Sequence, residues 1–229
     1  MKLSLRTICL FLLVLLGAAT ASADGLTLTL DNPPGSYSLG GVYVGPYNFT
    51  ETINGQSQSL QLICDIFTQE VYVGESWTAV TSTFPSLSNV EQPSLGTAAQ
   101  YQEIGWLVEQ MNTIIQSHTA TNQSVGDLQW AIWAVFDPAI LKPGWKDPYG
   151  TISQGDWTAI QSDYNAAVAA CGNGNCTFSN LTIYTPVSGS QPNGDGLPQE
   201  YFGVPEPGTL LLMVTGLLGL LVFWRRFLN

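Results

Sequence analysis

Cys64 and Gln129 are of types that can bond covalently to each other. A thiolate attacking a glutamine side-chain carbonyl expels ammonia and leaves an internal thioester, an acyl group activated toward amines. The chemistry needs a Cys on a rigid element, a Gln amide held against it, and little water. Gln129 is the lone polar side chain in Leu128-Gln129-Trp130-Ala131-Ile132-Trp133-Ala134-Val135-Phe136. A buried amide must be satisfied, so the ordinary alternative is a core helix whose Gln finds a hydrogen-bond partner. Cys64 stands out by cysteine arithmetic. Cys9 lies in an N-terminal segment read below as cleaved. Cys171 and Cys176 flank the turn-prone Gly172-Asn173-Gly174-Asn175, which lets them meet as a disulfide. Cys64 is then left over, and such a thiol is reactive, pairs with another molecule, or is buried and inert.

The elements that must position the pair read as strands followed by helices. Leu26-Thr27-Leu28-Thr29-Leu30 alternates as a half-buried strand does, and Asn32-Pro33-Pro34-Gly35 ends it. Gly40 to Thr50 alternates again, Asn54-Gly55 signals a hairpin, and Leu60 to Phe67 returns with Cys64 in it. Val71-Tyr72-Val73 and Trp77 to Val80 continue the pattern. The period then changes: Tyr101, Ile104, Leu107, Val108, Met111, Ile114 and Ile115 share one helix face. Ser124 with Asp127 resembles a capping box, which starts a second helix at about Asp127 and puts Gln129 in its first turn. Free backbone N–H groups there would stabilise a developing oxyanion, and Trp130 and Trp133 would exclude water. Ser153 with Asp156 caps a third helix that runs to about Ala170. Thr177 to Thr185 is a final strand. The fold class is mainly β with a helical insertion, an antiparallel sandwich or barrel-like ectodomain over residues 24–186.

Both ends read as targeting segments. In residues 1–23, Lys2 and Arg6 precede a short apolar run and the A-x-A site Ala21-Ser22-Ala23, a secretory signal whose removal leaves Asp24 first. Residues 187–203, rich in Ser, Gly, Pro and Gln, read as a linker. Val204-Pro205-Glu206-Pro207 follows, then an apolar run from Leu210 to Trp224 and the basic pair Arg225-Arg226. The run is at the short limit of a membrane span. The basic end is expected to face the cytoplasm, with the ectodomain outside.

Composition limits the partners. Against 17 Asp+Glu there are 6 Lys+Arg, and between the targeting segments only Lys142 and Lys146 remain. Phosphate binding needs clustered basic residues, so nucleic acid is excluded as a partner. No Cys/His cluster exists for a metal, Asn193-Gly194-Asp195-Gly196 is too short for a calcium loop, and no cofactor is called for. Two other function classes stand beside the thioester. One is a thiol hydrolase with Cys64 as nucleophile and His118, the sole histidine, as base; His118 lies in a polar stretch and the enzyme reading is set aside. The other is a non-covalent carbohydrate or matrix binder of the same fold, with exposed Trp77, Trp145 or Tyr149 beside Asp147 stacking on sugars.

Two resemblances follow from these residues. Residues 204–229 resemble the PEP-CTERM protein-sorting signal: the Val204-Pro205-Glu206-Pro207 motif, a short transmembrane helix and a basic end. The resemblance implies a bacterial envelope protein handled by an exosortase-type membrane enzyme that cleaves near the motif. The protein is then membrane-anchored, or released or surface-attached after processing. Over roughly residues 40–180, Ile63-Cys64, the Ile104-Gly105-Trp106-Leu107 helix and Leu128-Gln129-Trp130-Ala131-Ile132-Trp133 resemble the thioester domains of Gram-positive surface adhesins. That family implies a β-sandwich-like domain with a helical insertion and a Cys64–Gln129 thioester that captures amines on a target surface. The tail differs from the wall anchor of those adhesins.

Overall fold

The computed structural model describes residues 25–91, 96–142, 145–146, 150, 152–190 and 198–203. The expected signal segment, the sorting motif Val204 to Pro207, the apolar run and Arg225-Arg226 lie outside the described residues, as do Asp147 and Tyr149. Among the described residues no helix is long and apolar enough to cross a membrane.

Six antiparallel strands close into a barrel in the order β1-β2-β3-β6-β5-β4. They are β1 (Thr27–Leu39), β2 (Val42–Ile53), β3 (Gln56–Cys64), β4 (Ser76–Thr83), β5 (Thr182–Pro186) and β6 (Tyr201–Gly203). Of the two expected architectures the barrel is the one formed. The hairpin between β2 and β3 turns on Asn54 and Gly55, both at positive φ (51° and 77°), the conformation this dipeptide favours. The barrel is filled by aromatics. Phe49 meets Trp77 and Tyr201 edge-on at 5.8 and 4.8 Å between centroids, and Trp77 stacks with Tyr201 at 6.2 Å. Such pairs add about 0.5–1.5 kcal/mol each beyond their burial.

Three α-helices, α1 (Ala98–Gln116), α2 (Asn122–Phe136) and α3 (Gln154–Cys171), are inserted between β4 and β5. The expected α1 face is buried from Tyr101 to Met111. Every residue of α2 from Val125 to Val135 is buried, because α2 packs against α1, α3 and the barrel strands β1 and β2 at once. Ser153 caps α3 with Asp156 at its third position, as the sequence predicts. Cys171 and Cys176 form the expected disulfide.

Five local expectations are corrected. β1 does not end at Asn32-Pro33-Pro34-Gly35 but runs on to Leu39, through register shifts on either side of Gly35. A bulge leaves backbone N–H groups out of the ladder, which is where a sheet tolerates proline. Val71-Tyr72-Val73 is not a strand: Tyr72 and Val73 are exposed, and Gly74 (φ +86°) turns the chain so that its N–H bonds Leu30. The second helix begins at Asn122, not Asp127. Thr121 is its cap and Ser124 its capping-box partner, so Ser124 serves as third residue rather than cap. The last long strand is shorter than Thr177–Thr185. The end of the expected linker, Tyr201–Gly203, is β6, which pairs with both β3 and β5 and closes the barrel.

Candidate functional site

Cys64 is the last residue of β3, where it pairs with Tyr201 of β6. It is a free, fully buried thiol. Gln129 comes from the middle of α2 and is also fully buried. The fold brings the two side by side. The Gln129 Nε2 donates to the backbone carbonyl of Cys64 at 2.7 Å. The Gly45 N–H of β2 donates to Gln129 Oε1 at 3.0 Å. A Cβ at position 45 would lie 2.8 Å from Gln129 Oε1, so a larger residue there would have to displace the amide. The amide thus has its oxygen on one strand and its nitrogen on the next.

The N–H that meets the amide oxygen is not one of those expected from sequence. With α2 starting at Asn122, Gln129 sits two turns in, where backbone N–H groups are already bonded within the helix. The donor that faces the amide oxygen is the Gly45 N–H. It occupies the place where negative charge would build on Oε1 during attack at the amide carbon.

The thiol donates to the Ile66 carbonyl at 3.0 Å. Burial, and next the neighbouring Asp65 carboxyl, push the Cys64 thiol well above its ordinary pKa. The backbone at Ile66 opposes that rise. Trp133 is one helical turn beyond Gln129, so amide and indole share one face of α2. Over them lies an aromatic layer. Phe67 packs 5.0 Å from both Trp130 and Trp133, and Trp145 lies 5.6 Å from Trp130 and 5.5 Å from Trp157. This layer keeps water from the pair.

The alternative residue sets fare differently. His118 is exposed in the turn after α1, whereas Cys64 is buried, so the structure does not present them as nucleophile and base. Trp77, expected as an exposed sugar platform, is 2% exposed inside the barrel, and Trp145 is half-buried in the aromatic layer. An alternating strand places Trp77 on one of two faces, and only barrel closure decides that both its neighbours there are aromatic. Among the described residues no group of three or more His, Cys, Asp or Glu side chains is arranged to hold a metal ion.

Sequence reasoning missed a second buried polar cluster beside the first. Asp65 and Glu200 are both fully buried, and the Asp65 N–H bonds the Glu200 carbonyl at 3.3 Å. Glu200 Oε1 accepts from the Tyr101 hydroxyl at 2.6 Å. Its Oε2 accepts from the Glu91 N–H at 3.1 Å and from the Thr185 hydroxyl. Among the described residues neither Asp65 carboxyl oxygen has a hydrogen-bond donor. The signal available in sequence was an acidic residue directly after a core strand position, with no basic residue nearby to pair it.

Residues 203–226 match the family of the PEP-CTERM protein-sorting motif. The motif marks the chain as exported, envelope-associated and sorted by exosortase. No curated protein and no solved structure matches this chain.

Proposed function

Taking as premise an exported chain with a PEP-CTERM sorting motif, we propose that its barrel-and-helix ectodomain is a covalent attachment domain. Cys64 and Gln129 form an internal thioester that acylates amines on a surface or matrix target. Residues 204–229 carry the exosortase site and a membrane helix that holds the ectodomain outside the cell. The observation that carries this reading is the Gln129 amide lying on the carbonyl of Cys64 itself, with the Gly45 N–H on its oxygen.

The chemistry balances within these groups. The Cys64 sulfur bonds the Gln129 amide carbon, with the Gly45 N–H holding the oxyanion. The carbon–nitrogen bond then breaks, and the amide nitrogen leaves as ammonia with the proton the thiol gave up. A target amine later reverses the sense: a carbon–nitrogen bond forms, the carbon–sulfur bond breaks, and the Cys64 thiol is restored. A thiol pushed up by burial is a poor free nucleophile. What offsets this is proximity and a preorganised donor rather than a standing thiolate.

A second reading has its own observation. Gln129 is hydrogen-bonded at both ends, so it also serves as a buried stitch between α2, β2 and β3 with an inert thiol beside it. The intact mass of the exported ectodomain separates the two. The covalent reading expects a mass lower than the sequence by one ammonia, and the plain sequence mass in Cys64→Ala and Gln129→Ala. Methylamine should add to the wild type at Gln129. A wild-type mass equal to its sequence, with no methylamine uptake, sinks the covalent reading and leaves the stitch.

A further inference from the structure

β6 is three residues long, yet it closes the barrel, pairs with Cys64, and ends at Gly203, where the sorting motif begins. So short a strand contributes few ladder hydrogen bonds, and its hold depends on what flanks it. Tyr201 packs into the aromatic interior and Phe202 stacks on Tyr101 at 6.3 Å between centroids. The residue before it, Glu200, ties together α1 through Tyr101, β5 through Thr185, the chain after β4 through the Glu91 N–H, and the end of β3 through Asp65.

The Asp65–Glu200 contact has a chemical requirement. Two carboxylates accept hydrogen bonds and cannot donate to each other, and Asp65 has no donor from elsewhere. One proton between them resolves both problems: a protonated Asp65 donates to the Glu200 carboxylate, whose other contacts are all donors. Among the described residues nothing cationic offsets the pair. The groups that act on it are Glu91, Tyr101, Tyr201 and Cys64, all acidic or neutral. We propose that Asp65 and Glu200 are a proton-sharing latch that holds the closing strand β6 in place, and that loss of the shared proton releases β6 from β3 and β5. Release uncovers Cys64 and frees the chain leading into the sorting motif. The latch stands on its own geometry, whether or not the thioester forms.

The sign follows from the direction of the shifts. Burial raises both carboxyls, and Glu200 raises Asp65 further while Asp65, Tyr101 and Thr185 favour the ionised form of Glu200, so the closed state holds a proton on Asp65 that the open state gives up. A raised group stabilises fully below its ordinary pKa, and the contribution is lost as pH rises through the folded value. Glu91 is pushed up to about 7 by burial and by Glu200, and its own titration has to be kept apart from that of the pair. The latch is therefore read above it.

The test is hydrogen exchange at the Phe202 and Gly203 amides of the full exported chain, corrected for intrinsic exchange, at increasing pH above the Glu91 range. In the wild type, opening should increase by up to about tenfold per pH unit while one proton is lost. In Asp65→Asn the amide donates to Glu200 at every pH, so the rise should disappear. In Glu200→Gln the amide donates to Asp65 instead, and the rise should disappear there too. Amides of the β1–β2 ladder serve as the measure of global unfolding and should not share the wild-type rise. The same rise in both variants overturns the latch, as does a rise shared by the β1–β2 ladder. If one variant does not fold, the other decides.

Discussion

Cys64 and Asp65 are consecutive residues, both fully buried, and the fold treats them in opposite ways. The groups that hydrogen-bond at Cys64 are neutral and are met by backbone: Gln129 on the Cys64 carbonyl and the Gly45 N–H, and the thiol on the Ile66 carbonyl. The Asp65 neighbourhood is acidic, and its hydrogen bonding closes only when a proton is added. Burial therefore has different consequences a residue apart. At Cys64 it keeps a thiol and an amide dry with no charge to desolvate. At Asp65 it makes a charge so costly that protonation becomes part of the structure. The neutral site has no proton of its own to lose and should be insensitive to pH until the acidic one opens.

The comparison is broken most severely from the neutral side. Gln129→Ala leaves the Gly45 N–H and the Cys64 carbonyl buried without partners, each costing about 1–3 kcal/mol. Denaturant midpoints should show this loss undiminished between acid and neutral pH. A loss that vanishes in acid would mean that Gln129 and the carboxyl cluster are one network rather than two.

A smaller effect is expected from Gly45→Ala. The new Cβ would lie 2.8 Å from Gln129 Oε1, so the amide must move. The strain is about 1–3 kcal/mol, and methylamine uptake should fall with it, because the attacked carbon and its donor are displaced together. Retained uptake would show that the Gly45 N–H is not the oxyanion donor.

The smallest effect sharpens the acidic side. Tyr101→Phe removes a hydroxyl that donates to Glu200 and lowers its pKa. The expected cost is about 1 kcal/mol, larger above neutral pH than in acid, since the hydroxyl favours the ionised form. Unfolding measured at both extremes checks the sign. An equal cost at both would remove Tyr101 from the titrating cluster.

How much was legible depended on range. Asn54-Gly55 makes its own turn, Ser153 and Asp156 cap their own helix, and Cys171 and Cys176 meet across their own loop. Each is set by a few neighbouring residues, and each is where the sequence put it. The apolar spacing from Tyr101 to Met111 likewise states which face of α1 is buried. The helix cap before Gln129 was misassigned because Thr121, Ser124 and Asp127 offer overlapping capping spacings, and packing of the whole of α2 chose the earlier one. β6 left no local trace. Three residues after a Gly/Pro-rich stretch have no period to read, and their strand character comes from β3 and β5 on either side.

What the sequence determined by itself was an exported chain with a PEP-CTERM motif, strands before and after three helices, and an unpaired thiol with a lone buried amide as its chemical candidates. Those follow from composition, spacing and motif, which are properties of short stretches. Only the tertiary structure decided that the sheet closes as a barrel, that Gln129 reaches Cys64 and Gly45, that Trp77 turns inward, and that Asp65 meets Glu200. These depend on pairings between residues far apart in the chain, where the entropy of closing the intervening loops is recovered only when the whole barrel and its helices bury their faces together.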